Sequence, residues 1–174
     1  LHLLFEPNLP RRQVGVGTAR KIGMDWAMAR FAEAGEEGVI VCLDADCLVA
    51  ENYLEALAAH FAAHPRTPGC SIHFEHLWKD LPPRHRQGII HYELFLRYYV
   101  QGLRWSGFPH AFHTVGSSMA VRAAPYRQQG GMNRRKAGED FYFLQKIIPL
   151  GGFSDLTTTT VFPSARLSHR VPFG

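Results

Sequence analysis

Two carboxylates follow an apolar run in the segment GVIVCLDADCLV, residues 38–49. The five consecutive apolar residues 39–43 predict a buried strand. In an extended chain, side chains i and i+2 point the same way, so Asp44 and Asp46 are expected on one side of the strand's carboxyl end, where open α/β sheets bind ligands. Oxygen ligands of this kind suit Mg²⁺ or Mn²⁺. The alternative is a solvated loop with two surface acids, because 15 acids in 174 residues give such a triplet about once by chance.

A second acidic pair, Glu139 and Asp140, follows Gly138 at the start of a predicted helix. Acids in this position often only complement the helix dipole. The functional alternative is a general base, since a carboxylate beside a pocket can take a proton from an attacking hydroxyl. Both interpretations stay open from the residues alone.

The elements that must position these acids are visible in the periodicity of the chain. Apolar spacing predicts helices over residues 18–34, with Thr18 as N-cap, and over 51–63, 89–103 and 138–148. Strands are predicted at 1–7, 39–43 and 69–77, in the region 112–123, and around the four threonines at 157–160. Helices and strands alternate in the first half, which indicates α/β layers with a partly parallel sheet.

The helix over 89–103 carries an aromatic stripe that we interpret as its core face. The alternatives are an acceptor surface or a face lying against a membrane. Trp105 and His113, which follow the stripe, are expected on the acceptor side. The stripe consists of Tyr92, Phe95, Leu96, Tyr99, Val100 and Leu103.

Composition limits the function classes. The chain of 174 residues, with 46% hydrophobic and 20% charged residues, predicts one globular domain over residues 1–174. Three cysteines without C-x-x-C spacing indicate a reduced, cytoplasmic setting. The net charge of +4 suits an anionic partner. Nucleic acid is not expected, because the basic residues are dispersed along the chain.

Five sequence blocks occur in the order typical of family 2 glycosyltransferases with the GT-A fold. They are GVGTARKIGMDWA, VIVCLDADCLV, VGSSMAVRAAPY, GGMNRRKAGEDF and SARLSHRVPFG. The resemblance implies a GT-A-like nucleotide-diphospho-sugar transferase fold, with a mixed central sheet flanked by helices. Residues 1–7 resemble the third strand of the family, so the first two strand–helix units are expected to be missing from this chain.

The resemblance also implies roles for individual residues. Asp44 and Asp46 match the element that binds the metal and the diphosphate of a nucleotide sugar. Asp140 matches the catalytic base of inverting members, with Glu139 beside it for acceptor contacts or support. Arg20 falls at a basic position near the nucleotide, although the next residue is lysine where many members carry asparagine.

The carboxyl-terminal block adds three further residues by resemblance. His169 matches a histidine that some GT-A enzymes use as a third metal ligand, and the alternative for a lone loop histidine is plain solvation. Arg166 and Arg170 are expected to contact the diphosphate, since guanidinium groups match phosphate oxygens bidentately.

The function implied is a metal-dependent, inverting glycosyltransferase that uses Mn²⁺ or Mg²⁺. It would move a sugar from a nucleotide-diphosphate sugar to a hydroxyl on a carbohydrate or lipid-linked acceptor. A lipid-linked acceptor leaves peripheral membrane association open, and the sequence does not define an oligomeric state. Two alternatives remain: a non-catalytic GT-A-like binding domain and a nucleotidyltransferase.

Overall fold

A computed structural model describes residues 2–11 and 13–166 of the chain. Five helices, one 3₁₀ turn and five strands follow one another in these residues. They are α1 (Val16–Ala34), β1 (Val39–Cys42), β2 (Leu48–Val49), α2 (Tyr53–Ala63), β3 (Gly69–Phe74), α3 (Pro83–Trp105), β4 (Met119–Arg122), α4 (Ala123–Gln128), α5 (Glu139–Ile147), the 3₁₀ turn Ile148–Leu150 and β5 (Ser154–Phe162).

The five strands form one mixed sheet in the order β1-β4-β3-β5-β2. β4 runs antiparallel to both of its neighbours, β3 and β5 are parallel, and β2 is antiparallel to β5. Three strands, β1, β3 and β5, therefore point the same way. The predicted mixed sheet flanked by helices is confirmed.

Two apolar clusters cover the two faces of the sheet. Successive residues of β4 alternate between them: Met119 and Val121 belong to the cluster under α1, α4 and α5, while Ala120 belongs to the cluster under α2. Phe143 is completely buried in the first cluster, and Phe61 of α2 is 6% exposed in the second. Helices on both faces explain why β1 (VIVC) and most of β4 (MAVR) are apolar.

Three details of the predicted elements are wrong. α1 begins at Val16, and Gly15 rather than Thr18 occupies its N-cap position, because Thr18 is buried inside the first turn. Residues 2–6 form no strand, since no described strand pairs with them. The region 112–123 yields only β4, after which the short helix α4 was not predicted.

The predicted core stripe of α3 is also wrong in large part. Of its six residues only Val100 is buried, while Phe95 is 62% and Tyr99 56% exposed. The helix is rotated because Glu93 and Arg97 turn toward β3, where they bind His76 and the carbonyl of Phe74. Neither α3 nor any other helix among the described residues is long and apolar enough to cross a membrane.

Candidate functional site

The candidate site lies at the edge of the sheet where β1, β3 and β5 end. Asp44 comes two residues after β1, and His76 comes two residues after β3. Arg166 comes four residues after β5, and Gly116 precedes β4, which enters from the same edge. The topology thus collects charged groups from separate parts of the chain, as open α/β sheets do at their binding edge.

The two aspartates after β1 lie on a tight turn, not on an extended strand end. The Cys47 N–H donates to the carbonyl oxygen of Asp44 at 3.0 Å, because the chain turns at once to form β2. The extended conformation that was expected at Asp44 and Asp46 is therefore wrong. Each carboxylate binds a different arginine: Asp44 lies 2.6 Å from Nη2 of Arg20, and Asp46 lies 2.8 Å from Nε of Arg166.

Arg20 links the two acidic pairs that the sequence singled out. Its guanidinium donates to Asp44 through Nη2 and to Glu139 through Nη1. The side chains of Arg20 and Glu139 are only 11% and 5% exposed. The network joins α1, the turn after β1 and the start of α5, because Asp44 and Glu139 bind the same cation.

Burial and charge act against each other in this network. Burial alone would lower the pKa of Arg20, but the carboxylates of Asp44 and Glu139 outweigh it and raise that pKa. Burial raises the pKa of Glu139, and the nearby charges of Asp140 and Asp44 add to the effect while Arg20 opposes it. Removing either buried partner would leave an uncompensated group.

Two glycines allow the close approach on which this network depends. A Cβ at Gly116 would lie 2.3 Å from Nη1 of Arg20, so the guanidinium occupies the space of a side chain. A Cβ at Gly17 would lie 2.2 Å from the carbonyl oxygen of Arg135. Sequence reasoning gave neither glycine a role, although both stand in the GVGT and VGSS blocks.

Asp140 lies in the first turn of α5 in a more open environment than Glu139. It is partly exposed, and its Oδ1 accepts the N–H of Phe141 at 2.7 Å. No described residue forms an ion pair with it. Burial raises the pKa of Tyr92 on α3, and the charge of Asp140 adds to the effect.

Asn133 positions the loop that leads into α5. Its Nδ2 donates to the carbonyl oxygen of Glu139 at 2.7 Å, and its Oδ1 accepts the N–H of Arg135 at 3.0 Å. The Arg135 guanidinium stacks over the ring of Tyr142, 3.7 Å from its centre. The sequence analysis missed Asn133 and Arg135, and the only available signal was their position between the glycine pair and the acidic pair.

The donor set of Asp44 and Asp46 fits a hard divalent cation. Both are half-exposed carboxylates that already hold cationic groups, and such ions keep water or phosphate oxygens in their remaining positions. The described residues contain no cluster of three histidine, cysteine or acidic ligands. The predicted third ligand His169 and the predicted phosphate contact Arg170 lie outside the described residues.

A cavity of about 470 Å³ opens beside this network. Arg20 and Asp44 line its charged end, and apolar residues of α1 and β1, among them Met24 and Phe31, line the rest. The charged edge therefore continues into an apolar groove along β1, and the size of the groove falls in the range of small-molecule sites.

Comparison with protein families gives a match over most of the chain. The family model described as Glycosyl transferase family 2 matches residues 8–129. The matched range contains Arg20, Asp44 and Asp46 and ends before α5, so Glu139 and Asp140 lie beyond it. Comparison with curated proteins and with solved structures gave no match.

Proposed function

The chain belongs to glycosyl transferase family 2, and on that premise we propose that it transfers a sugar from a nucleotide-diphosphate sugar to a hydroxyl acceptor with inversion at the anomeric carbon. Membership of the family supports glycosyl transfer as the general activity. The observation that supports the finer proposal is the Arg20 bridge between Asp44 and Glu139, because Glu139 immediately precedes Asp140 at the start of α5.

The two acids at the start of α5, Glu139 and Asp140, have different roles because their surroundings differ. Glu139 is buried against Arg20 and acts as a positioning residue for the network. Asp140 is partly exposed and forms no ion pair with any described residue. A carboxylate that is accessible and fixed by a backbone N–H can accept a proton from a hydroxyl within hydrogen-bond reach.

The transfer needs one base and one leaving-group stabiliser. Asp140 takes the proton of the acceptor hydroxyl while the hydroxyl oxygen attacks the anomeric carbon. The bond from that carbon to the diphosphate oxygen breaks, and the electron pair leaves with the nucleoside diphosphate. Attack on the face opposite the leaving group inverts the carbon, so no covalent nucleophile on the protein is required.

The turn after β1, which contains Asp44 and Asp46, would bind the diphosphate. Asp44 and Asp46 would hold Mg²⁺ or Mn²⁺, which supplies Lewis-acid stabilisation of the departing phosphate charge when bound. The Arg166–Asp46 pair is exposed, and pairs of this kind contribute only about 0–1 kcal/mol. Arg166 can therefore leave Asp46 at little cost and contact phosphate oxygens instead.

The test is thermal stabilisation of the full chain by UDP, GDP, CDP and dTDP, each with and without Mn²⁺. We expect one nucleotide to raise the unfolding temperature only with the metal, because bound ligand stabilises the folded state. The Asp44→Asn/Asp46→Asn variant should lose this shift.

A matched control neutralises two exposed acids elsewhere, Glu36→Gln/Asp80→Asn, and should keep the shift. Stabilisation by no nucleotide, or an equal shift in both double variants, would contradict the proposal.

A further inference from the structure

The helix α3 differs from an ordinary surface helix because large apolar side chains remain exposed on its outward side. Its sheet-facing side carries charges that are fixed by the fold. Glu93 accepts from His76 at 2.8 Å, Arg97 donates to the carbonyl of Phe74 at 2.7 Å, and Arg104 lies 2.5 Å from Asp155. These contacts set the rotation of the helix, so its opposite side must face outward.

The outward side of α3 carries five large apolar and aromatic side chains, which we call the aromatic face. Leu94, Tyr98 and Trp105 are 58%, 80% and 93% exposed, and their spacing of four and seven residues keeps them on one side of the helix. Phe95 and Tyr99 lie beside them, 62% and 56% exposed, with their rings stacked at 6.3 Å. A contiguous exposed patch of this kind marks an interaction site.

Charge narrows the class of partner that fits the aromatic face. Glu93 is the only acid in α3, and it is turned toward β3. Arg84 is exposed and lies fourteen residues before Tyr98, on the outward side. The outward side of α3 thus carries an exposed cation and no acid, and the chain has a net charge of +4, which matches an anionic surface.

The residue types favour a lipid surface over a second protein copy. Tyrosine and tryptophan place an apolar ring in the acyl region and a polar group at the headgroups, so they concentrate at membrane interfaces. A stable dimer buries about 800 Å² on each partner across 20–30 residues, whereas the five side chains occupy about 16 Å of one helix.

We propose that the aromatic face of α3 is a membrane-docking surface that lies in the interface of an anionic lipid bilayer. Trp105 and Tyr98 anchor the helix parallel to the bilayer plane, and Arg84 contacts lipid phosphates. This surface lies outside the network of Arg20, Asp44 and Glu139, so the proposal does not depend on the transfer chemistry.

The first test is co-sedimentation of the full chain with vesicles. Vesicles of phosphatidylcholine alone are compared with vesicles that also contain phosphatidylglycerol. We expect binding to the anionic vesicles, and a drop of about tenfold or more in Leu94→Ser/Tyr98→Ser/Trp105→Ser, since three large side chains lose their burial in lipid. The control is Leu54→Ser, the same change at a leucine on α2 that is 75% exposed, which should bind as the wild type does.

A second measurement separates docking from misfolding. In Trp26→Phe/Trp78→Phe the only remaining tryptophan is Trp105. Its fluorescence should shift to shorter wavelength with anionic vesicles and be quenched by brominated lipid. An unchanged spectrum would overturn the proposal, as would equal binding of the triple variant or a lipid-independent dimer that the triple variant abolishes. Equal binding to both kinds of vesicle would overturn the anionic preference.

Discussion

The network of Arg20, Asp44 and Glu139, called here the acidic network, and the aromatic face of α3 both depart from the usual distribution of side chains. The first buries charged groups, and the second exposes apolar groups. The side chains of Arg20 and Glu139 are only 11% and 5% exposed. On α3, Tyr98 and Trp105 are 80% and 93% exposed. Burying charge costs free energy unless every partner is in place, and exposed apolar surface of this size favours association with something else. Both regions therefore lower the stability or solubility of the isolated chain.

The difference between the regions lies in what completes them. The acidic network is completed inside the chain, because Asp44 and Glu139 already neutralise Arg20. The aromatic face has no partner among the described residues. The first region is thus a preorganised site whose damage should appear as lost activity and stability, and the second is a surface whose change should leave folding intact.

The largest expected effect is on catalysis. Asp140→Asn removes the proton acceptor while keeping the shape of the side chain, and we expect sugar transfer to fall by about 10²–10⁴-fold. Nucleotide-induced stabilisation should persist, since Asp140 does not belong to the Arg20 bridge. Transfer is measured by release of nucleoside diphosphate in the presence of acceptor. Wild-type turnover in this variant would exclude Asp140 as the base.

The next effect is on stability. Arg20→Met leaves Glu139 buried without its cation, and we expect the free energy of unfolding to fall by about 3–5 kcal/mol. The second substitution in Arg20→Met/Glu139→Gln should restore part of the loss. Urea unfolding measures both variants. In the exposed Arg30–Glu33 pair, Arg30→Met should change stability by less than about 1 kcal/mol. Equal losses at the two sites would contradict a special role for the buried Arg20–Glu139 pair.

Smaller effects on stability are expected from replacing two glycines, Gly116 and Gly88, with alanine. Gly116→Ala places a methyl group where the Arg20 guanidinium lies, and we expect a loss of about 1–3 kcal/mol together with weaker nucleotide stabilisation. On α3, nothing lies within 4 Å of a Cβ at Gly88. Gly88→Ala should therefore stabilise the helix by about 0.5–1 kcal/mol. Thermal unfolding of the two variants measures both effects. An unchanged unfolding temperature in Gly116→Ala would mean that Arg20 can move aside without cost.

The smallest expected effect is on the pH dependence of stability, and it involves His113. Burial and the charge of Arg97 lower the pKa of His113, assisted by Arg104 and His73 and opposed by Asp155. Because the folded pKa lies below the unfolded value, the neutral form is favoured in the folded state. Stability should therefore fall as the pH drops below about 6.5. His113→Asn should flatten this dependence in urea unfolding measured between neutral and mildly acidic pH, and an unchanged slope would contradict the assignment.

Sequence patterns predicted the elements wherever local information was strong. The apolar run 39–43 gave β1, and the glycine after α1 ends that helix in a left-handed conformation, with φ 68° at Gly35. The acidic pair after Gly138 begins α5 as expected. Periodicity failed on α3, because it shows that a stripe exists but not which side meets the sheet. The orientation was decided by pairs such as Glu93 with His76, which come from elements far apart in the chain.

The sequence by itself determined the composition of the site: two acidic pairs, a basic position in the GTARKIG block, and glycines at fixed points between them. It also determined the alternation of helices and strands that makes the α/β layers. Only the tertiary structure decided that Arg20 stands between Asp44 and Glu139, 119 positions away along the chain from the latter. Such contacts depend on strand order and on the direction of β4 between β1 and β3, and no local pattern encodes either of these.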